Sequence, residues 1–204
     1  MTTAFASGDS AVPNLRTLDA WRMLSQEIRG CVKCPLHATR IQAVVYRGSL
    51  SPRLLFVGEA PGAEEDRVGV PFVGRSGQRL DSAVAHLGLT AQEYGVLNLL
   101  KCRPAGNRFD PDAARTCRPY LDRQVDLLSP EIVVTLGSSA LHALAPEAPP
   151  MLKAAGIPRR SARGPIFPLI HPAAALRSRR FAERWTRDID ALSRWLPDHL
   201  TQPV

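Results

Sequence analysis

Four cysteines stand in this chain as Cys31-x2-Cys34 and, after 67 intervening residues, Cys102-x14-Cys117. Thiolates are soft metal ligands. A C-x2-C step lets one turn of chain present two sulfurs to a single centre, and two more from distant sequence complete a set of four. The spacing admits zinc and a four-iron cluster alike. Disulfides are the competing explanation, but they persist in oxidising compartments, and nothing here reads as an export signal. Four unrelated buried thiols are the remaining reading, because an isolated C-x2-C is common.

A second group of chemically able residues stands where apolar runs end. After Leu54-Leu-Phe-Val57 comes Gly58-Glu-Ala-Pro-Gly-Ala-Glu-Glu-Asp66, then Gly69-Val-Pro-Phe-Val-Gly74. The run Gly95-Val-Leu-Asn-Leu-Leu100 contains Asn98 and leads into Lys101-Cys-Arg-Pro-Ala-Gly-Asn-Arg108, and Ile166-Phe-Pro-Leu-Ile170 runs into His171-Pro-Ala-Ala-Ala-Leu-Arg177. Singly, each has a structural explanation: Glu59 could cap a helix, Asn98 could cap a loop, His171 could be a satisfied core histidine. Jointly, a carboxylate, an aromatic ring, an amide and an imidazole from separate strand ends would converge on one pocket. A triphosphate-cradling loop would need Gly-Lys-Ser/Thr at fixed spacing, and Gly74-Arg-Ser76 does not supply it.

The elements that must position these residues follow from periodicity. Thr17 to Arg29 has Leu18, Trp21, Leu24 and Ile28 on one face and stops at Gly30, which predicts an amphipathic helix delivering Cys31 and Cys34. Short, continuously apolar strands are predicted at Arg53–Gly58, Gly95–Leu100, Glu131–Leu136 and Ile166–Ile170. Helices are predicted at Ser76–Leu87, from Asn107–Pro111 to Leu128, at Ser138–Leu144 and from Ser178 to Trp195. Strands that do not alternate belong to a sheet covered on both faces. The fold class is therefore α/β, a three-layer α/β/α arrangement around a central, mostly parallel four-stranded sheet. Ligands of such sheets sit at the carboxyl ends of the strands, where the unusual residues fall.

The 204 residues are 45% hydrophobic and 22% charged, the composition of one globular domain. We expect it to span residues 16–198, between flexible termini at 1–15 and 199–204, and to work as a cytoplasmic monomer. No apolar run approaches the ~20 residues that span a bilayer, so no membrane is expected as a partner. The net charge of +7 comes from arginine far more than lysine, which suits bidentate contacts to phosphate and makes nucleic acid a candidate partner.

In order and spacing, the motifs at Gly58–Asp66, Gly69–Gly74, Asn98–Arg108 and His171–Arg177, with the four cysteines, resemble the family-4 iron-sulfur uracil-DNA glycosylases. The resemblance runs from Cys31 to about Arg177. It implies a uracil-DNA glycosylase fold and a 4Fe-4S cluster on Cys31, Cys34, Cys102 and Cys117, selecting iron over zinc, with a structural role. It also implies hydrolysis of the N-glycosidic bond of uracil in single- or double-stranded DNA, as in base excision repair. The implied uracil pocket comprises Gly58, Phe72 stacked on the base, Asn98 on its O4 and N3–H edge, His171 on O2, and Glu65 (with Glu64 as competitor) excluding the thymine methyl. Better-known uracil glycosylases carry a water-orienting aspartate where this chain has Ala60, leaving Glu59 or Asn107 for that task. Arg103, Arg108 and Arg177 would meet DNA phosphates, joined by Arg179 and Arg180. Small Ala173–Ala175 leave Leu176 or Arg177 to fill the gap in the duplex. Two rivals are a relative that cross-links uracil-DNA through a histidine in an inserted loop, which Ala105–Pro111 lacks, and a zinc-stapled nucleic-acid module without catalysis.

Overall fold

The structure, a computed structural model, describes residues 14–200; the expectations for residues 1–13 and 201–204 lie outside them. The elements in chain order are α1 (Leu15–Arg29), β1 (Arg47–Gly48), β2 (Leu54–Gly58), α2 (Ala63–Val68), α3 (Arg75–His86), β3 (Tyr94–Asn98) and α4 (Pro111–Leu128). Then follow β4 (Ile132–Leu136), α5 (Ser138–Leu144), α6 (Met151–Ala154), β5 (Arg159–Ser161), β6 (Gly164–Leu169), α7 (Pro172–Ala175) and α8 (Arg179–Trp195). Among the described residues no helix is long and apolar enough to cross a membrane.

One sheet has the order β1-β3-β2-β4-β6-β5. The inner four strands pair in parallel, and these are the four expected from sequence. The sheet is nevertheless six-stranded, because two- and three-residue antiparallel strands close its edges. Such short strands carry no periodicity, so the count of four was too low. Alternation along β2 supplies both faces: Leu55 and Val57 join the core under α1, α4 and α5. Leu54 and Phe56 join the core under α3 and α8, where Trp185 and Leu80 pack. Each fully buried side chain of this size contributes roughly 1.5–3 kcal/mol.

Helix boundaries follow capping chemistry. The Asn14 side chain accepts from Thr17 N at 2.9 Å and starts α1 two residues before the periodicity suggested. The Asp110 carboxylate accepts from the amides of Asp112 and Ala113, with Pro111 in the first turn, so α4 begins at Pro111 and Asn107 stays in the preceding turn. The glycine- and proline-rich segment after β2 is not all loop. It contains α2, whose Glu65 carboxylate accepts from Gly62 N at 3.1 Å.

The chain turns from β2 to β3 on one side of the sheet and from β3 across to β4 on the other. Between β2 and β4 the strand order reverses, and the crevice at their carboxyl ends is where a ligand fits. Helix α3 starts beside this crevice and packs tightly on the Phe72 segment: a Cβ on buried Gly77 would lie 1.8 Å from the Phe72 carbonyl oxygen. Gly→Ala inside a helix ordinarily stabilises by about 1 kcal/mol. Here Gly77→Ala should instead destabilise by about 2 kcal/mol, read as a lower urea midpoint; a higher midpoint would contradict this packing.

Candidate functional site

A cavity of about 500 Å³ opens at the carboxyl ends of the strands, lined by Glu59, Glu65, Phe72, Asn98, Asn107, His171 and Arg177 among others. Residues from four separate segments thus share one space. Beneath them lies Gly58, where a Cβ would come within 2.4 Å of Asn98 Oδ1 and 2.6 Å of Phe72 Cζ. The glycine is required by close approach, since any side chain would displace the amide or the ring.

The Phe72 segment is held by Glu65. The glutamate is 9% exposed, with Oε1 accepting from Val73 N at 3.0 Å and Gly74 N at 2.8 Å. Oε2 takes Gly62 N. Three backbone donors to one carboxylate are strong charge-assisted bonds, and they join the first loop to the segment that carries the ring. They hold Phe72 at φ 56°, a left-handed conformation uncommon for an aromatic residue. Glu64 also borders the cavity, with its carboxylate accepting from Arg67 Nη2 at 2.9 Å.

Asn98 is 1% exposed, and among the described residues its Oδ1 has no hydrogen-bond partner, an open acceptor in a dry place. Lys101 Nζ donates to its carbonyl oxygen. The His171 ring lies 5.9 Å from the Phe72 ring, centre to centre. His171 Nδ1 accepts from Ala173 N at 3.1 Å, capping α7. With Nδ1 an acceptor, the proton of the neutral ring sits on Nε2. Burial, helped by the Arg177 charge and opposed by Glu65, pushes the imidazole pKa down to about 4, so at neutral pH His171 is an uncharged donor.

The two candidates for orienting water differ in what they have free. Glu59 Oε2 accepts from Ser139 Oγ at 2.7 Å, and among the described residues no side chain bonds its Oε1. Asn107, at φ 55°, accepts from Arg103 Nε at 2.9 Å through its Oδ1, which leaves its NH2 and a second Oδ1 lone pair to offer. Arg103 therefore stands behind Asn107 rather than on the cavity wall. Arg108 and Arg177 are exposed, as is the run from Leu176 to Arg180, with Leu176 40% exposed. Sequence reasoning missed Arg75 and Ser76 on the cavity wall and Ser139 behind Glu59; only the meeting of β2 and β4 brings Ser139 there.

The four cysteines are free thiols around a second, narrow hollow shared with Arg40, Lys101 and Tyr120. Among the described residues no three His, Cys, Asp or Glu side chains are grouped as a metal ion would group them. Arg40 Nη1 donates to Cys102 Sγ at 2.9 Å, and its Nη2 to the Arg29 carbonyl at 2.9 Å. Burial pushes both the Cys102 and Cys117 thiols up; Arg40 opposes this at Cys102, Lys101 at Cys117. Lys101 is 2% exposed, and burial pulls its amine down to about 8 against the thiols of Cys117 and Cys102.

An α/β sheet with a dry amide, a ring and a neutral imidazole at its strand ends has the donors, acceptors and flat apolar surface that a planar polar heterocycle would fit. The model of the uracil DNA glycosylase superfamily matches residues 45–191. The chain is 36% identical over 160 residues to the type-4 uracil-DNA glycosylase of Thermotoga maritima, covering 77% of this chain and 83% of that one. To the type-4 enzyme of Saccharolobus solfataricus it is 36% identical over 174 residues, covering 78% of each. The type-5 uracil-DNA glycosylase of Mycobacterium tuberculosis is 34% identical over 110 residues, covering 46% of this chain and 41% of that one. The chain belongs to the uracil-DNA glycosylase superfamily, in its type-4 group.

The His171 environment sets a pH dependence of stability. Its folded pKa of about 4 lies below the ordinary 6.5, so on acidification the unfolded chain takes the proton first. The stability tied to neutral His171 is complete above pH 6.5 and is lost as pH falls toward 4. Urea midpoints across that window should fall less steeply for His171→Gln than for the wild type; parallel curves would contradict a buried neutral imidazole.

Proposed function

We propose that this protein excises uracil from DNA by hydrolysing the N-glycosidic bond and leaving an abasic site. The observation that carries the reading is the buried, unpartnered Asn98 Oδ1 facing the cavity of Phe72 and His171. A dry acceptor beside an amide donor matches N3–H and O4 of uracil, and cytosine presents the reversed pattern. Leaving such a group unpaired costs more than losing an apolar contact.

The target nucleotide must leave the helix to reach this cavity, at a cost of a few kcal/mol that is least at mismatches. Phe72 stacks on the flipped ring. Glu65, pinned by three amides, cannot swing aside, so it serves as a fixed wall against the thymine methyl. As the C1′–N1 bond breaks, its electron pair passes to uracil and negative charge grows on O2. The Nε2–H of His171 donates to that oxygen without having to lose a charge. Water then adds to C1′ and gives its proton to a carboxylate. Glu59 suits that task because a carboxylate can take up the proton, whereas the neutral amide of Asn107 cannot and steadies the sugar or the water. Exposed Arg108 and Arg177 meet phosphates, Arg103 contributes through Asn107, and Leu176 enters the gap left in the duplex.

Single-uracil oligonucleotides, paired with G or A or unpaired, should yield an alkali-labile abasic site. Glu59→Gln should lower the single-turnover rate by about 10²-fold or more, and Asn107→Ala by less. No uracil release from any of the three substrates would refute the proposal.

We further propose a 4Fe-4S cluster on Cys31, Cys34, Cys102 and Cys117. Four free thiols around one hollow, with Arg40 and buried Lys101 facing them, suit a group of net negative charge, since a buried cation needs an anionic partner. When bound, such a cluster supplies a covalent staple between the segment after α1, the loop after β3, and α4. Glycosidic hydrolysis asks no electron transfer of it. Purified protein should be brown, with iron and sulfide in equal amounts, and Cys117→Ser should lose colour and melt lower; a colourless zinc protein would overturn the assignment.

A further inference from the structure

Glu59 is held at the cavity by a residue from another strand end. Its Oε2 accepts from Ser139 Oγ at 2.7 Å, and among the described residues no other side chain bonds this carboxylate. Ser139 is the second residue of α5, which leaves β4 through Gly137 at φ 92°. Gly137 N donates to the Leu169 carbonyl at 2.9 Å, locking this turn to the end of β6. Strands β2 and β4 are parallel neighbours with Val57 opposite Thr135, so the first residue past β2 and the first turn past β4 must face each other. The contact thus follows from the register of two central strands.

We infer that Ser139 is a positioning residue of the hydrolysis. Its hydroxyl fixes one oxygen of Glu59 and aims the other at the water. A free glutamate has three rotatable bonds, and only a fraction of its rotamers put an oxygen on the line of attack. Fixing one oxygen removes most of that freedom before substrate arrives, and misplacement by about 1 Å is costly for a reacting group. Serine itself takes no proton and touches no substrate, so it acts wholly through Glu59. This inference rests on the assignment of the water to Glu59 made above.

The test is single-turnover uracil release from a single-uracil oligonucleotide, with Ser139→Ala, Ser139→Thr, Glu59→Gln and the Glu59→Gln/Ser139→Ala double variant. Ser139→Ala should slow the maximal rate by about tenfold, the equivalent of one hydrogen bond to a charged group. DNA affinity and melting temperature should stay unchanged. Ser139→Thr should restore the rate, and the double variant should be no slower than Glu59→Gln alone. A wild-type rate in Ser139→Ala, while Glu59→Gln is slow, would overturn the inference and leave the role of Glu59 standing. Slow turnover with weakened DNA binding or a lower melting temperature, or a double variant slower than Glu59→Gln alone, would also overturn it, by assigning Ser139 a role other than positioning Glu59. A Glu59→Gln enzyme as fast as wild type would overturn the water assignment itself, and the inference with it.

Discussion

The carboxylate of Glu65 is the tie on which the cavity depends. It accepts three backbone N–H groups from two segments that diverge after β2, Gly62 on one side and Val73 and Gly74 on the other. Without it the Phe72 segment would have to keep a left-handed aromatic residue in place by packing alone, at a strain of order 1 kcal/mol or more. With it, Phe72 can be set against Gly58 and Asn98, and α3 can start close enough to demand glycine at position 77. One acidic side chain thereby carries information from α2 to the ring that would lie on a base.

The second constraint is dryness. Gly58 leaves Asn98 its room, Lys101 donates to its carbonyl oxygen, and among the described residues its Oδ1 has no partner. An amide in that condition discriminates sharply, because a base edge with the wrong donors leaves two buried groups unpaired. His171 gains from the same dryness in a different way. Its Nδ1 is spent on capping α7, so the ring has one tautomer when neutral, and burial keeps it neutral where enzymes work. An uncharged donor beside a growing anion gives stabilisation without the desolvation cost of a buried charge.

Lys101 joins the two halves of the molecule. Its backbone belongs to the segment between Asn98 and Cys102, its ammonium reaches back to the Asn98 carbonyl, and it borders the hollow of the thiols. The cavity and the cysteines are therefore not separate features on one scaffold. The short segment from Asn98 to Cys102 borders both.

Much of this was legible in residue order. The four parallel strands and their helices could be read because each strand is a continuous apolar run and each helix has one apolar face, both local properties. The chemical residues could be listed because they follow those runs, and the cysteines because two of them, Cys31 and Cys34, are separated by only two residues. The edge strands were not legible, since two or three residues hold no pattern, and neither was α2, whose cap is a side chain reaching backward. Tertiary structure alone decided what each polar atom does: that Glu65 spends its carboxylate on amides, that Arg103 takes the oxygen of Asn107, that Ser139 meets Glu59. Those pairings join residues up to 80 positions apart in sequence, and which of them meet depends on strand register and crossover, quantities that no single stretch of sequence contains.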